Sequence, residues 1–164
     1  MHKIRGFTLL EILVVILISG LLSTLVIVSF NRQSADQLLA DEAAMLSALV
    51  GQACREALLQ SRNIGLLLGP DGYQFMLQVG SRWQPVLDPA SPWRPRPWRE
   101  VQDIRLTSQG YPVKLDSNPG QPSVICLANG ELLPFELRLF NADHSEISLQ
   151  GFSNSQVQLR ERQS

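Results

Sequence analysis

Few side chains in this sequence could do chemistry, and their spacing does not match the arrangements that enzymes use. The two histidines are His2 and His144. His144 sits in the run Asn141-Ala142-Asp143-His144-Ser145-Glu146. One imidazole flanked by Asp143 and Glu146 could join a metal site, but a histidine with two acids in a turn is more often solvated surface. Ser145 beside His144 does not make a triad, because adjacency in sequence is not geometry. No CxxC, P-loop or HExxH motif occurs. The expectation is therefore a protein without a catalytic centre, a metal site or a cofactor.

Three other groups carry possible chemistry. Cys54 and Cys126 are too few for a disulfide framework. They read either as one bridge, if the domain faces an oxidising compartment, or as two small buried side chains on a helix and a strand. The stretch Trp93-Arg94-Pro95-Arg96-Pro97-Trp98-Arg99 interleaves aromatic and basic residues. Such a pattern can stack and neutralise a single-stranded nucleic acid, contact a protein partner, or form a proline-stiffened loop with arginine stacked on tryptophan. The third group is one residue, Glu11, the only formal charge between Phe7 and Phe30. A charge at the centre of a bilayer costs about 2.5–3.5 kcal/mol on insertion scales, so such residues are rare and have partners.

The elements that position these groups follow from composition. The chain has 164 residues and a formal net charge of −1, which suits one domain plus an anchor and gives no bulk reason to expect nucleic acid. Residues 7–30 make about 36 Å of helix at 1.5 Å per residue, enough to span a hydrocarbon core of about 30 Å. Lys3 and Arg5 precede the run and Arg32 follows it, which directs the N-terminus to the cytoplasm. No A-x-A cleavage site ends the run, so it is expected to remain in the mature protein.

Beyond it, Ala35, Leu38, Leu39, Met45, Leu46, Leu49, Ala53 and Ala57 recur at helical spacing, with Asp36, Asp41, Glu42, Gln52 and Arg55 between them. No proline occurs before Pro70. The pattern predicts one helix from about Phe7 to about Ser61, with residues 31–62 as an amphipathic continuation. Residues 63–164 read as nearly all β. Short strands are expected at Ile64–Leu68, YQFMLQV, SRWQPVL, DIRLTS, YPVKL, SVICLA, PFELRLF, EISLQGF and SQVQLRE. Asn129-Gly130 suits a tight hairpin. Five of the ten prolines lie between Pro85 and Pro97, which excludes a central strand and predicts an extended surface loop. The tail Arg160-Glu161-Arg162-Gln163-Ser164 is expected to fray. The fold class is α+β: a long N-terminal helix on an antiparallel, sandwich-like head.

The start of the chain adds a specific signal. Lys3-Ile4-Arg5-Gly6-Phe7-Thr8-Leu9-Leu10-Glu11 resembles the cleavage junction of type IV pilins and type II secretion pseudopilins. The resemblance implies a leader of residues 1–6, cutting between Gly6 and Phe7 by a membrane-embedded prepilin peptidase, and N-methylation of Phe7. Loss of Lys3 and Arg5 would shift the formal charge from −1 to −3. It would also create an ammonium group on Phe7. Residues four apart share a helix face, so Phe7 and Glu11 can pair within a chain, and the family implies pairing between subunits. Opposite charges attract far more strongly in lipid than in water, and pairing offsets part of their desolvation.

Beyond the junction, the stretch Cys54-Arg55-Glu56-Ala57 through Leu68, with Gly72, Tyr73, Phe75 and Trp83, is similar to the minor pseudopilin H family. That similarity implies a pilin fold and a structural subunit near the tip of a periplasmic pseudopilus. It implies an inner-membrane anchor, a periplasmic head, and other major and minor pseudopilins as partners, with the secreted substrate or the secretin as further possibilities. Residues 7–30 lack the helix-kinking proline common in major pilins, and Val28 stands where it is sought. No acidic, calcium-binding C-terminal loop is evident. A minor type IV pilin for pilus assembly or DNA uptake is the alternative. It needs a basic surface, for which only Trp93–Arg99 and the pair Arg160 and Arg162 offer themselves.

Overall fold

The computed structural model describes the backbone of residues 9–115 and 120–162, and the side chains of residues 9–19, 35–115 and 120–160. With no proline to interrupt the ladder, α1 runs Leu9–Gln60. The chain divides into two units, residues 1–35 and 36–164, and α1 contributes to each.

In the first unit, the described side chains from Leu9 to Ile18 are apolar apart from Glu11 and are exposed all round: Leu9, Leu13 and Ile16 are each more than half exposed. Among the described residues no helix is long and apolar enough to cross a membrane. The span expected over residues 7–30 lies partly outside them, because Phe7, Thr8 and the side chains from Gly20 onward are not described.

In the second unit, α1 buries a stripe. Leu39, Ala43, Leu46, Val50, Ala53 and Ala57 alternate four- and three-residue steps, and none is more than 1% exposed. Leu38 and Met45, expected in that stripe, flank it and are exposed; Glu42, expected outside it, is buried. The helix ends on two backbone bonds, from Ser61 N–H to the Leu58 carbonyl and from Arg62 N–H to the Ala57 carbonyl. Ser61 takes the left-handed conformation (φ 49°) that such a stop requires. Asn63 then fixes the exit: its Oδ1 accepts from Ala128 N–H at 2.7 Å and its Nδ2 donates to Gln78 Oε1 at 2.6 Å.

Ten strands follow. They are β1 Ile64–Gly69, β2 Gly72–Val79, β3 Arg82–Pro85, β4 Arg96–Pro97, β5 Asp103–Ser108, β6 Tyr111–Val113, β7 Val124–Cys126, β8 Phe135–Phe140, β9 Glu146–Gly151 and β10 Val157–Arg162. They form two antiparallel sheets, one ordered β3-β2-β1-β7 with β4 also on β2, the other β10-β9-β8-β5-β6. Because side chains alternate along a strand, register brings apolar rows together. Phe75, Leu66 and Val124 align across the first sheet. Leu106, Leu137 and Leu149 align across the second, as do Ile104, Leu139 and Ile147. These three rows and the stripe of α1 build one apolar core, with Ile104 packed at its margin. Each fully buried leucine there contributes about 1.5–3 kcal/mol relative to exposure.

Differences from the sequence reading are local. The expected strand YPVKL is shortened to Tyr111–Val113. The C-terminal strand continues to Arg162, taking in residues expected to fray. After β7, Gly130 (φ 86°) completes a turn closed by Gly130 N–H on the Leu127 carbonyl, as the Asn-Gly pair predicts.

Candidate functional site

The proline-rich segment is built into the head rather than looped away from it. Its backbone pairs with β2 at Tyr73↔Arg96 and Gly72↔Pro97, an edge position where prolines do no harm. The approach is so close that a Cβ on Gly72 would lie 2.2 Å from the Arg96 carbonyl oxygen, which accounts for glycine there. Both tryptophans turn inward, where the sequence left them available to a partner. Trp98 Nε1 donates to the Gly69 carbonyl at 2.9 Å and its ring lies 5.0 Å from that of Tyr73. Trp93 packs 6.4 Å from Phe75. No arginine–tryptophan stack is present among the described residues; the arginine over a ring is Arg105, on Phe140.

Glu42 holds the far end of this segment. Its carboxylate, 6% exposed, accepts from Arg99 N–H at 3.2 and 3.3 Å and from Glu100 N–H at 3.5 Å. Sequence reasoning missed this role. The available signal was spacing: Glu42 lies three residues after Leu39 and four before Leu46, on the buried face. With α1 on one side and the segment on the other, a cavity of about 230 Å³ remains, lined by Arg94, Arg96, Arg99, Tyr73, Asp41 and Glu42 among others. Burial pushes the Tyr73 phenol above its usual value, so it stays a neutral hydroxyl at physiological pH, 4.0 Å from Met45 Sδ.

Cys54 and Cys126 are joined in a disulfide, with their Cα atoms 4.9 Å apart, which ties α1 to β7. Gly6 and Phe7 lie outside the described residues. Glu11 is in the first turn of α1 and exposed among apolar neighbours. His144 is exposed at φ 63° in the turn between β8 and β9. That turn is organised by buried Asn141, whose Oδ1 accepts from Asp143 and Ser145 N–H and whose Nδ2 donates to Asp36 on α1 at 2.9 Å. Among the described residues, no group of three histidines, cysteines or acids is placed to hold a metal ion. Arg160 is exposed on the edge strand β10, away in sequence and sheet from Arg94 and Arg96; the Arg162 side chain is outside the described residues.

A helix that leads from a prepilin-type junction into a head of two antiparallel sheets defines a pilin-like subunit. The prokaryotic N-terminal methylation motif matches residues 1–27. Type II secretion system protein H of Pseudomonas aeruginosa is 35% identical over 150 residues, covering 85% of this chain and 84% of that protein. Its namesake in Escherichia coli K12 is 29% identical over 151 residues, covering 89% and 86%. This chain belongs to the type II secretion system protein H family. The fold agrees with two solved structures. The solution structure of E. coli GspH superimposes with a TM-score of 0.63 at 22% identity, over 77% of this chain and 90% of that one. The minor pseudopilin EpsH of the Vibrio cholerae type 2 secretion system gives 0.61 at 18% identity, over 77% and 98%.

Proposed function

We propose that this chain is made as a precursor, cut between Gly6 and Phe7 by a prepilin peptidase, and N-methylated on Phe7. Residues 7–30 then anchor it in the bacterial inner membrane with the head in the periplasm. From there it joins other pseudopilins near the tip of a pseudopilus that supports export of folded proteins. Its role is structural: assembly and transmission of force, without catalysis. The observation that carries this reading is the N-terminal junction. A methylation motif over residues 1–27 overlaps the start of α1, where the described side chains of residues 9–19 present apolar surface on every side, with Glu11 as their one charge. A helix that is apolar all round belongs in lipid or inside an assembly.

Processing tests the reading directly. Gly6→Val should leave the precursor uncut, so that mass spectrometry finds the six leader residues retained, as in a strain without the peptidase. A wild-type chain isolated with its original N-terminus, or trimmed after residue 30, would falsify the proposal.

A further inference from the structure

We infer that the cavity between α1 and the Arg94–Arg99 segment receives an acidic side chain from a neighbouring pseudopilin. The inference rests on the reading of the chain as a fibre subunit and adds the chemistry of one contact. Three of the 14 basic residues fall within six positions here and line one cavity. The ion pairs present among the described residues are Arg105–Asp103 and Arg138–Glu136, and neither involves these arginines. Two acids line the same cavity but are otherwise engaged. Glu42 is taken up by the backbone N–H groups of Arg99 and Glu100, and Asp41 accepts the Gln37 amide at 3.0 Å.

Arg96 supplies the sharper observation. Its Nη2 donates to the Pro92 carbonyl at 3.3 Å, while its Nε is buried and has no acceptor. Trp93 Nε1, in the same segment, is also buried without one. Buried donors left unpaired cost about 1–3 kcal/mol each, and native structures normally satisfy them or use them. Three arginines lining one cavity suit a carboxylate, which can accept two parallel bonds from a single guanidinium. Size narrows the occupant. About 230 Å³ is below the roughly 300–1,000 Å³ usual for small-molecule sites. The exposed Arg94 and Arg99 lie at the surface, where a docking protein can reach them.

The test uses the full-length chain expressed with the rest of its secretion system in a strain lacking the native copy. A photo-reactive residue at Leu38, which is exposed on the cavity wall, is cross-linked in cells, and the joined peptides are sequenced. The expected product is a peptide of another pseudopilin carrying Asp or Glu next to the linkage. Arg96→Glu should lower its yield about tenfold, the effect of losing one charge-assisted bond. Exchange of the partner acid for arginine should restore it, and Arg96→Lys should retain most of it. Arg94→Glu with Arg99→Glu, both at exposed positions, repeats the test without disturbing the interior. Cross-links to nucleic acid or to secreted protein, or a pseudopilin cross-link indifferent to both sets of variants, overturn the inference. Normal secretion in the strain lacking the chain altogether would instead overturn the fibre-subunit reading.

Discussion

At the scale of single residues, the informative feature is an acid on the wrong side of a pattern. Glu42 shares the buried face of α1 with Leu39 and Leu46, and it has no cation as partner among the hydrogen bonds it makes. Backbone amides that would otherwise be orphaned by the proline-rich segment take that place. Glu42→Ala should therefore cost more than a lost contact, because it strands the Arg99 and Glu100 N–H groups. The expected loss is about 1–3 kcal/mol, read as a lower denaturation midpoint of the full-length protein in detergent. Glu42→Gln keeps one acceptor oxygen and should lose less. Equal losses for the two variants would mean that the amides find water, and that Glu42 does not hold the segment. Spacing in the sequence was enough to put Glu42 on the inner face. The identity of its partners, 57 and 58 positions away, was not, because nothing local records which loop returns to a helix.

Elements were more legible than their neighbours. The helix end near Ser61, the strand at Asp103–Ser108 and the Asn129-Gly130 turn follow from periodicity and turn chemistry, which are local. The order β10-β9-β8-β5-β6 is not local: β5 lies against β8, with β7 assigned to the other sheet between them in sequence. The cysteines illustrate the same limit. Their residue types allowed a bridge or two buried thiols, and only the pairing of β1 with β7 beneath α1 brings them together. Linking positions 72 residues apart restricts the unfolded chain by about 4 kcal/mol in the chain-entropy account. Cys54→Ala with Cys126→Ala should lower unfolding stability by up to that amount, and reductant should do the same to the wild type while leaving the variant unmoved. Asn141→Ala acts on a different junction. It leaves the Asp143 and Ser145 amides and the Asp36 carboxylate without their partner. A loss of about 2–4 kcal/mol is expected from the summed bonds, with faster hydrogen exchange in the β8–β9 turn. Exchange unchanged there would show that the turn is held by its backbone alone.

At the scale of the whole molecule, the question is why a helix proposed to anchor the chain in a membrane should keep an acid near its start. Glu11 stands among side chains exposed on all sides, a surface suited to lipid before assembly and to other helices after it. In lipid a carboxylate costs about 2.5–3.5 kcal/mol at the bilayer centre. A unit charge 4 Å away returns about 1 kcal/mol in water and about 4 kcal/mol at an effective dielectric constant of about 20. On the proposed processing, a neighbouring subunit's new N-terminal ammonium would offset the penalty only where water is scarce, which would make the pair a gauge of correct axial position as well as a source of attraction. Glu11→Val and Glu11→Gln separate charge from polarity. Both should be cut and methylated normally, since the proposed cleavage falls between Gly6 and Phe7, outside the altered position, and both should fail to co-purify with the major pseudopilin from cross-linked membranes. If Glu11→Gln enters the fibre as well as the wild type, a hydrogen bond suffices and the charge is dispensable. If both variants enter, registration comes from the heads, and contacts such as those of the arginine cavity would have to supply it.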